Sequence, residues 1–295
     1  MSKVNPELDE VTREKLAEKF LDPSTFLGAG SYARVYRAIR TYDKEQVALK
    51  MIDTREKSEY VRKFLPREVS IVLLLRHPHI VRVDRVFEIP NYTCMVTELC
   101  ENGDLLERIK KMRYIPETDA KFYFRQMIEA LKYLQDVSVV HRDLKCENIL
   151  LDRFDNVKLA DFGFARFLNQ GQASSTFCGS RVYVAPEVLR AKQYTDNAID
   201  IWSVGIVLYI MVTGVMPYDD RNLRKMVEQQ MAHKIRFPRM ELSWEVKRLI
   251  HDTLHPIPKE RLDYEEICAS DWLSATPYRI RTVDDCSTAY SIDGE

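Results

Sequence analysis

Apolar and polar residues alternate in the first third of the chain, a pattern that predicts β-strands. In residues 45–53, two sets of side chains alternate along the chain. The first set is Val47, Leu49 and Met51, and the second is Ala48, Lys50 and Ile52. Residues 28–39 and 92–99 are strand-like as well, and residues 59–75 between them have the length and spacing of a helix. We therefore predict strands and one helix from about residue 24 to residue 100.

The pattern changes to a helical period after Gly103. Residues 119–136 place a set of apolar side chains on one helical face: Phe124, Met127, Ile128, Leu131 and Leu134. Two short strand-like runs, residues 148–151 and 156–160, interrupt the predicted helices and are flanked by polar residues. Because loops carry much of an enzyme's chemistry, we expect functional residues beside these runs.

The longest apolar run, residues 199–216, approaches the length of a membrane-spanning helix. It contains Asp200, Trp202, Ser203 and Thr213 among its apolar residues. We therefore predict a buried core helix in preference to a membrane span.

Both ends of the chain differ from the region between them. Residues 1–20 are charged, and apolar residues at Val11, Leu16 and Phe20 predict a short amphipathic helix in an N-terminal extension. Residues 274–295 are polar, and we predict a tail without fixed structure. The chain of 295 residues is 45% hydrophobic, enough to build a substantial core between these ends.

Charge and cysteine content limit which classes of partner and which cellular compartment the sequence favours. The 44 Lys and Arg residues nearly balance the 45 Asp and Glu residues, which favours neither nucleic acid nor an anionic membrane as a partner. The six cysteines include no CxxC pair, and we identify no signal peptide. These features predict a reducing compartment, cytoplasmic or also nuclear.

Two glycines lie among strand-like residues in the segment GAGSYARV, residues 28–35. Without a Cβ, glycine lets backbone N–H groups approach a polyphosphate closely. A tight hairpin without a ligand accounts for two glycines almost as well. Ala33 stands where the usual nucleotide-binding pattern has a third glycine, so we expect a somewhat stiffer loop.

Lys50 places a cation in an otherwise apolar strand, on the same face as Ala48. An ordinary lysine at a sheet edge is the alternative interpretation. The position is better explained if Lys50 points into a cleft that holds phosphates, with an acidic residue to orient it. Glu68, in the predicted helix, is the natural counterion.

Four ionic or amide groups lie within the segment HRDLKCEN, residues 141–148, and DFG follows at residues 161–163. Such groups are costly near a core unless they serve a polyanion and a metal. Phosphoryl transfer needs a carboxylate for the acceptor hydroxyl and oxygen ligands for Mg²⁺. Asp143 suits the first task, and Asn148 and Asp161 suit the second. A capped turn with surface ion pairs would not predict the second acidic motif.

In order and spacing, these motifs resemble the eukaryotic protein kinases from about residue 22 to residue 273. Three further features extend the resemblance: APE at residues 185–187, the run at residues 200–205, and Arg261. The family counterpart of Arg261 pairs with the glutamate of APE, here Glu187. Lys145, together with Gly179 and Ser180 before the APE motif, resembles the serine/threonine branch of the family more than the tyrosine branch. The resemblance implies a bilobal α+β kinase fold, with a small antiparallel-sheet N-lobe carrying one main helix and a larger, mostly helical C-lobe. The implied divisions are residues 1–20, 21–273 (lobes at about 21–100 and 101–273) and 274–295.

Longer phrases, including KFLPRE, GDLLERIK, DLKCENILLD and TFCGS, resemble the testis-specific serine/threonine kinases of the calcium/calmodulin-dependent kinase group. The AMP-activated-kinase-like enzymes share the CGS segment and are the alternative subgroup. The closer resemblance implies a role in sperm or germ-cell differentiation.

The resemblance also implies a role for individual residues in moving the γ-phosphoryl group of MgATP to Ser or Thr hydroxyls of proteins. Asp143 orients the hydroxyl, Lys145 offsets charge on the transferred group, and Asn148 and Asp161 hold Mg²⁺. The implied ATP-binding residues are Leu27, Gly28, Ala29, Gly30, Ser31, Tyr32, Ala33, Arg34, Val35, Ala48, Lys50, Glu68, Glu98, Cys100, Asp104 and Leu150.

Control and partners follow from the same resemblance. Thr176 is the implied site of an activating phosphate, added by an upstream kinase or by autophosphorylation, with Arg142 as its partner; Ser174 and Ser175 are alternatives. Asp104 and Glu147 lead us to expect substrates with basic residues upstream of the acceptor. We expect a monomer that is assisted by chaperones in folding.

Two other classes of protein compete with an active kinase. A kinase-shaped scaffold without turnover usually lacks the strand lysine or one of the two motif aspartates, and all three are present here. A small-molecule phosphotransferase of another fold would not need the APE segment or residues 200–205, which resemble a platform for peptide substrates.

Overall fold

The computed structural model describes residues 7–30, 32–56, 58–167, 181–190, 198–283 and 285. The chain forms two compact units. The first comprises Met1–His77 and Val81–Glu101, and the second comprises Pro78–Ile80 and Asn102–Glu295.

A five-stranded antiparallel sheet forms the centre of the first unit, with strand order β1-β2-β3-β5-β4. Its elements are α1 (Glu10–Ala17), β1 (Leu21–Ala29), β2 (Ala33–Arg40), β3 (Gln46–Asp53), a π-helical turn (Tyr60–Phe64) that continues into α2 (Leu65–Val72), β4 (Val83–Ile89) and β5 (Tyr92–Glu98).

The alternation in β3 divides its side chains between two apolar clusters, as predicted. Leu49 and Met51 are buried with Leu16 of α1 on one face of the sheet. Ile52 points the other way and is buried with Leu65 of α2. Because successive strand residues face opposite sides, one strand contributes to both clusters.

The N-terminal extension forms α1, but its buried face differs from the predicted one. Thr12 and Leu16 are buried on one side of the helix, because residues four apart share a side, and Leu8, just before the helix, is buried as well. Val11 and Phe20 are 62% and 55% exposed. Leu16 therefore anchors the extension on the sheet.

The second unit is mostly helical, with two small two-stranded sheets, β6 with β9 and β7 with β8. Its elements are α3 (Leu105–Met112), α4 (Glu117–Asp136), β6 (Val139–Val140), β7 (Ile149–Leu151), β8 (Val157–Leu159), β9 (Arg166–Phe167), α5 (Pro186–Leu189), α6 (Ala198–Thr213), α7 (Leu223–Met231), α8 (Trp244–Thr253) and α9 (Tyr264–Ala269). The predicted α+β class, with a small antiparallel-sheet part and a larger helical part, is confirmed.

Helices α4 and α6 form the centre of the second unit. The predicted apolar face of α4 is buried, from Phe124 to Leu134. Every residue of α6 is buried, which confirms the prediction of a core helix. In the described part of the chain, no helix has both the length and the apolar character that a membrane crossing requires.

The C-terminal segment is the main departure from the predicted fold. The amide of Gln126 donates to the carbonyl of Arg279 at 2.9 Å, and the amide of Asn156 donates to that of Arg281 at 2.8 Å. The Tyr278 hydroxyl lies 3.0 Å from Nε2 of His79. The prediction of an unstructured tail is therefore wrong for residues 278–281, because buried amides require hydrogen-bond partners and the tail backbone supplies them.

Candidate active site

The glycine-rich segment joins β1 to β2 as a tight turn. Gly28 pairs with Val35 across the strands, and the Gly30 N–H donates to the Ala33 carbonyl at 2.9 Å. A Cβ built on Gly28 or Gly30 meets no described atom within 4 Å. The backbone on this side is thus open to a ligand. Ser31 lies outside the described residues.

The strand register places several predicted ATP-binding residues on one face of the sheet. Ala48 and Lys50 share a face because they are two residues apart in β3. Val35 of β2 lies directly opposite Lys50. Leu27, Ala29, Ala33 and Arg34 lie in the adjoining ends of β1 and β2, and Tyr32 lies in the turn.

Lys50 and Glu68 form the predicted ion pair, with 2.7 Å between Nζ and Oε1. Glu68 is 2% exposed, so its charge depends on close partners. A second partner is Tyr60, whose hydroxyl donates to Oε2 at 2.5 Å. Both oxygens of the carboxylate are therefore engaged.

Glu98 and Cys100 lie at the end of the first unit's last strand. The Glu98 side chain accepts a hydrogen bond from the Arg82 N–H at 2.7 Å. This bond fixes the chain immediately before Cys100.

Asp104 and Leu150 are neighbours within the second unit, where a β-bridge joins their backbones. The Asp104 carboxylate caps α3 by accepting from the Glu107 N–H at 2.8 Å. Burial raises the pKa of Asp104, and the nearby charges of Glu107 and Glu147 act in the same direction.

In the segment between β6 and β7, two side chains donate hydrogen bonds to one carboxylate. Oδ2 of Asp143 accepts from Nζ of Lys145 at 2.7 Å and from Nδ2 of Asn148 at 3.0 Å. Asn148 also donates to the Asp143 backbone carbonyl at 2.8 Å. These contacts hold an acid, a cation and an amide together in one buried segment.

Asp200, in the apolar helix α6, holds the backbone of this segment in place. Its two carboxylate oxygens accept from the backbone N–H groups of His141 and Arg142, at 2.7 and 2.9 Å. Arg142 has a φ of 67°, a left-handed conformation that costs about 1–3 kcal/mol and persists only where its surroundings hold it. Complete burial raises the pKa of Asp200.

Asp161 follows β8 in a similarly unusual conformation, with a φ of 60°. The next residue, Phe162, is buried, and its ring centroid lies 4.7 Å from that of His141. Nε of Arg142 donates to the carbonyl of Phe164 at 2.8 Å. The segment containing Asp161 is thereby tied to the segment containing Asp143.

The predicted pair between Glu187 and Arg261 is confirmed. Two parallel hydrogen bonds of 2.7 Å join the guanidinium to the carboxylate. Arg261 donates further to the carbonyls of Ala198 and His255 at 2.9 and 2.8 Å. The pair fixes α5 against the beginning of α6.

Comparison with known protein families identifies the family of this chain. Residues 22–273 match the family model described as protein kinase domain. The chain belongs to the protein kinase family. Members of this family generally use ATP and Mg²⁺, and they act on protein substrates.

Proteins similar to this kinase include several serine/threonine kinases. Testis-specific serine/threonine-protein kinase 1 of Mus musculus is 46% identical over 255 residues, covering 84% of this chain and 70% of that protein. Testis-specific serine/threonine-protein kinase 3 of Homo sapiens is 40% identical over 255 residues, covering 85% of this chain and 94% of that protein. Serine/threonine-protein kinase SIK2 of Gallus gallus is 38% identical over 258 residues, covering 88% of this chain and 32% of that protein.

These comparisons confirm the resemblance to the testis-specific kinases, and the chain is a protein serine/threonine kinase. Thr176 lies outside the described residues of this kinase, so its predicted role stays a prediction. The geometry brings together Asp143, Lys145 and Asn148 in one unit, and Lys50 and Glu68 in the other.

The side-chain oxygens at this site are of the kind that can bind the magnesium of MgATP. Asn148 uses Nδ2 for both bonds to Asp143, so its oxygen Oδ1 faces away from them. The described residues contain no cluster of three or more His, Cys, Asp or Glu suited to a metal. Mg²⁺ needs no such cluster, because it commonly takes one or two protein oxygens together with water and substrate phosphates. Asn148 and Asp161 are that kind of set.

Two contacts of the site are not evident from the motifs. The sequence marks Asp200 as a polar residue in an apolar run and, by resemblance, as the start of the segment at residues 200–205, but neither indicates its contact. The structure shows that Asp200 holds the backbone of the HRD motif. Tyr60 has no marker at all, although it bonds Glu68. A lone acid in an apolar helix could have indicated the first of these, because such an acid requires buried partners.

Proposed function

We propose that Asp143 orients the serine or threonine hydroxyl of a protein substrate for transfer of the γ-phosphoryl group of MgATP. The convergence of Lys145 and Asn148 on Oδ2 of Asp143 carries this assignment. Both bonds end on the same oxygen, and among the described residues no side chain donates to Oδ1. Oδ1 is therefore the oxygen that would accept the hydrogen bond of the substrate hydroxyl.

Lys145 would offset negative charge on the transferred group, because its ammonium is held beside the acceptor carboxylate. Asn148 and Asp161 would hold the magnesium ions through side-chain oxygens. When bound, MgATP supplies the phosphoryl group, and its metal ions neutralise phosphate charge. The protein contributes position and charge, and no covalent intermediate with the enzyme is needed.

The glycine-rich turn and Lys50 would hold the phosphates of ATP. The open backbone beside Gly28 and Gly30 supports the first part, and the Lys50–Glu68 pair supports the second. We further assign the remainder of residues 27–35 and Ala48, Glu98, Cys100, Asp104 and Leu150 to the nucleotide, with Val35, Ala48 and Leu150 at the adenine.

The first experiment replaces Asp143 with Asn and measures phosphate transfer to a basic serine/threonine protein. We expect kcat to fall about 100- to 10,000-fold, the range for loss of an acid–base group, while the affinity for MgATP is kept. Asp136→Asn, at the exposed end of α4, is the matched control. A variant that retains full kcat would overturn the assignment of Asp143.

Phosphorylation of Thr176 would activate this kinase, with the Arg142 guanidinium as a partner for the phosphate. Arg142 is buried beside Asp143 and already bonds the Phe164 carbonyl, so a charge near it could influence the catalytic segment. An upstream kinase or autophosphorylation would add the phosphate. Phosphatase treatment should lower activity, and Thr176→Ala should abolish that sensitivity.

Substrates with arginine or lysine upstream of the acceptor are the proposed partners. Burial is the main cause of the raised pKa of Asp104, and the charge of the exposed Glu147 acts in the same direction, so the two carboxylates repel each other. A basic side chain would relieve this repulsion. Glu147→Gln should reduce the preference for basic residues in a peptide library, whereas Glu101→Gln should not.

The names of the relatives support a role in sperm or germ-cell differentiation. We also propose a monomer, folded with chaperone assistance, that is located in the cytoplasm and also in the nucleus. Imaging of the tagged full chain in developing germ cells, with sedimentation of the purified chain, tests these proposals.

A further inference from the structure

The helix that carries Glu68 begins with an irregular turn, and Pro66 explains it. Proline has no N–H, and its ring would collide with the carbonyl of Arg62, four residues earlier, in a regular α-helix. The chain forms a π-helical turn over Tyr60–Phe64 instead, in which the Leu65 N–H bonds to the carbonyl of Tyr60. This turn accommodates one more residue than an α-helical turn.

The additional residue brings Tyr60 onto the same face as Glu68. In a regular α-helix, residues eight apart differ by about 80° around the axis, whereas residues seven apart differ by about 20°. With one residue absorbed by the π turn, Tyr60 and Glu68 are related as residues seven apart would be. Their side chains can then meet two turns apart, and the Tyr60 hydroxyl donates to Oε2 at 2.5 Å.

Tyr60 also contacts the glycine-rich turn. Its ring stacks on that of Tyr32, with the centroids 4.3 Å apart and the planes 5° from parallel. Tyr32 is 46% exposed, whereas Tyr60 is 7% exposed and is buried with Ile52, Leu65 and Met95. The buried ring is thus fixed by the core, and it supports the exposed ring at the tip of the turn.

We propose that Tyr60 is a positioning residue for Lys50: its hydroxyl fixes the rotamer of Glu68, and its ring supports the glycine-rich turn through Tyr32. The inference rests on the proposed roles of Lys50 and Glu68 in holding ATP. A carboxylate with one oxygen on Lys50 and the other on a buried hydroxyl is restricted to one orientation. Lys50 is restricted in turn.

Tyr60→Phe removes the hydroxyl and keeps the stacked ring. We expect kcat/KM for ATP to fall about tenfold, mostly through kcat, because the position of Lys50 matters most when charge moves in the transition state. The melting temperature should fall only modestly, because Glu68 keeps its bond to Lys50 when it loses the hydroxyl. Tyr42→Phe, at a tyrosine that is 63% exposed in the same unit, is the matched control and should change neither quantity.

A double-mutant cycle with Glu68→Ala distinguishes positioning from general loss of structure. If Tyr60 acts through Glu68, Tyr60→Phe should lower kcat/KM less than twofold in the Glu68→Ala background. An equal loss in both backgrounds would overturn the inference, as would full activity of Tyr60→Phe alone. If Glu68→Ala itself leaves activity unchanged, the proposed role of the Lys50–Glu68 pair fails instead.

Tyr32→Ala and Tyr32→Phe test the contact with the turn. The alanine variant loses the stacked ring, and we expect it to raise KM for ATP more than the phenylalanine variant does. Equal KM values for the two variants would show that the ring of Tyr32 contributes nothing, and would overturn this half of the inference.

Discussion

Two ion pairs, one in each unit of the molecule, use similar charges in different ways. Glu187 and Arg261 are joined by two parallel bonds, and the Arg261 guanidinium has no exposed area. Lys50 and Glu68 are joined by one bond, and the Lys50 side chain keeps 20% of its area exposed. The first pair is closed to other partners, whereas the second leaves its cation within reach of solvent.

Chemistry explains the difference. A guanidinium has five N–H donors in a rigid plane. Arg261 makes four hydrogen bonds with them: two to Glu187 and one each to the carbonyls of Ala198 and His255. An ammonium on a flexible chain can turn towards a second anion without losing the first. The comparison indicates that the Arg261 pair stabilises the fold, whereas the Lys50 pair leaves its cation accessible, as the role proposed for Lys50 requires.

The largest effect should come from breaking the Glu187–Arg261 pair, called the closed pair below because it has no room for another partner. Arg261→Met leaves the carboxylate of Glu187 buried without its partner, and such losses destabilise proteins by about 3–5 kcal/mol. Urea unfolding of the full chain measures the change. Arg248→Met is the control, because the Arg248 side chain is 61% exposed and lies 3.6 Å from Asp252. It should cost less than about 1 kcal/mol. Equal effects of the two substitutions would contradict the comparison.

Substitution in the Lys50–Glu68 pair, the open pair, should change the activity of the kinase and not its stability. Glu68→Gln keeps an acceptor for the Tyr60 hydroxyl and leaves Lys50 able to take up water, so the free energy of unfolding should change by less than about 1 kcal/mol. We expect kcat/KM to fall about 100-fold, because Lys50 is no longer held in position. Glu88→Gln, on an exposed position of β4, is the matched control.

Loss of stability without loss of activity in Glu68→Gln would reverse the assignment of the two pairs. Urea unfolding and steady-state kinetics on the same preparation decide between these outcomes.

The sequence predicted contacts between groups whose chemistry is complementary. Lysine with glutamate, and arginine with glutamate, can be matched from charge and family spacing, and both pairs are present. Asp143, Lys145 and Asn148 lie within one short segment, so their proximity follows from the chain itself.

Other contacts could not be predicted, for physical reasons. Tyr60 lies eight residues before Glu68, a spacing that points away in a regular α-helix, and the π turn that corrects it depends on Pro66. Strand β4 was not predicted because Asp84, Arg85 and Glu88 interrupt its apolar pattern.

The prediction for the C-terminal segment was wrong for a similar reason. Its main chain is held by amide side chains of Gln126 and Asn156, and bonds to backbone groups do not depend on the residue types of the tail. Apolar periodicity therefore carries no signal for this segment.

The smallest expected effect is a pH dependence near the closed pair. His255, whose carbonyl accepts from Arg261, has its ring 4.8 Å from that of His233, which stacks on His251 at 3.7 Å. Burial lowers the pKa of His233 below its ordinary value of 6.5, and the charges of His251 and His255 act in the same direction. The hydrogen bond to the His251 carbonyl and the charge of Asp252 act in the opposite direction.

Because the folded pKa of His233 is lower than the unfolded one, the unfolded chain binds the proton first as the pH falls. Its contribution to stability is complete above about pH 6.5 and is lost below that value. His233→Asn suits the φ of 52°, since asparagine tolerates a left-handed backbone. The melting temperature should therefore fall less between about pH 7.5 and about pH 5.5 in this variant than in the unmodified chain. An identical fall in both proteins would show that His233 titrates alike in the folded and unfolded states, and would contradict this prediction.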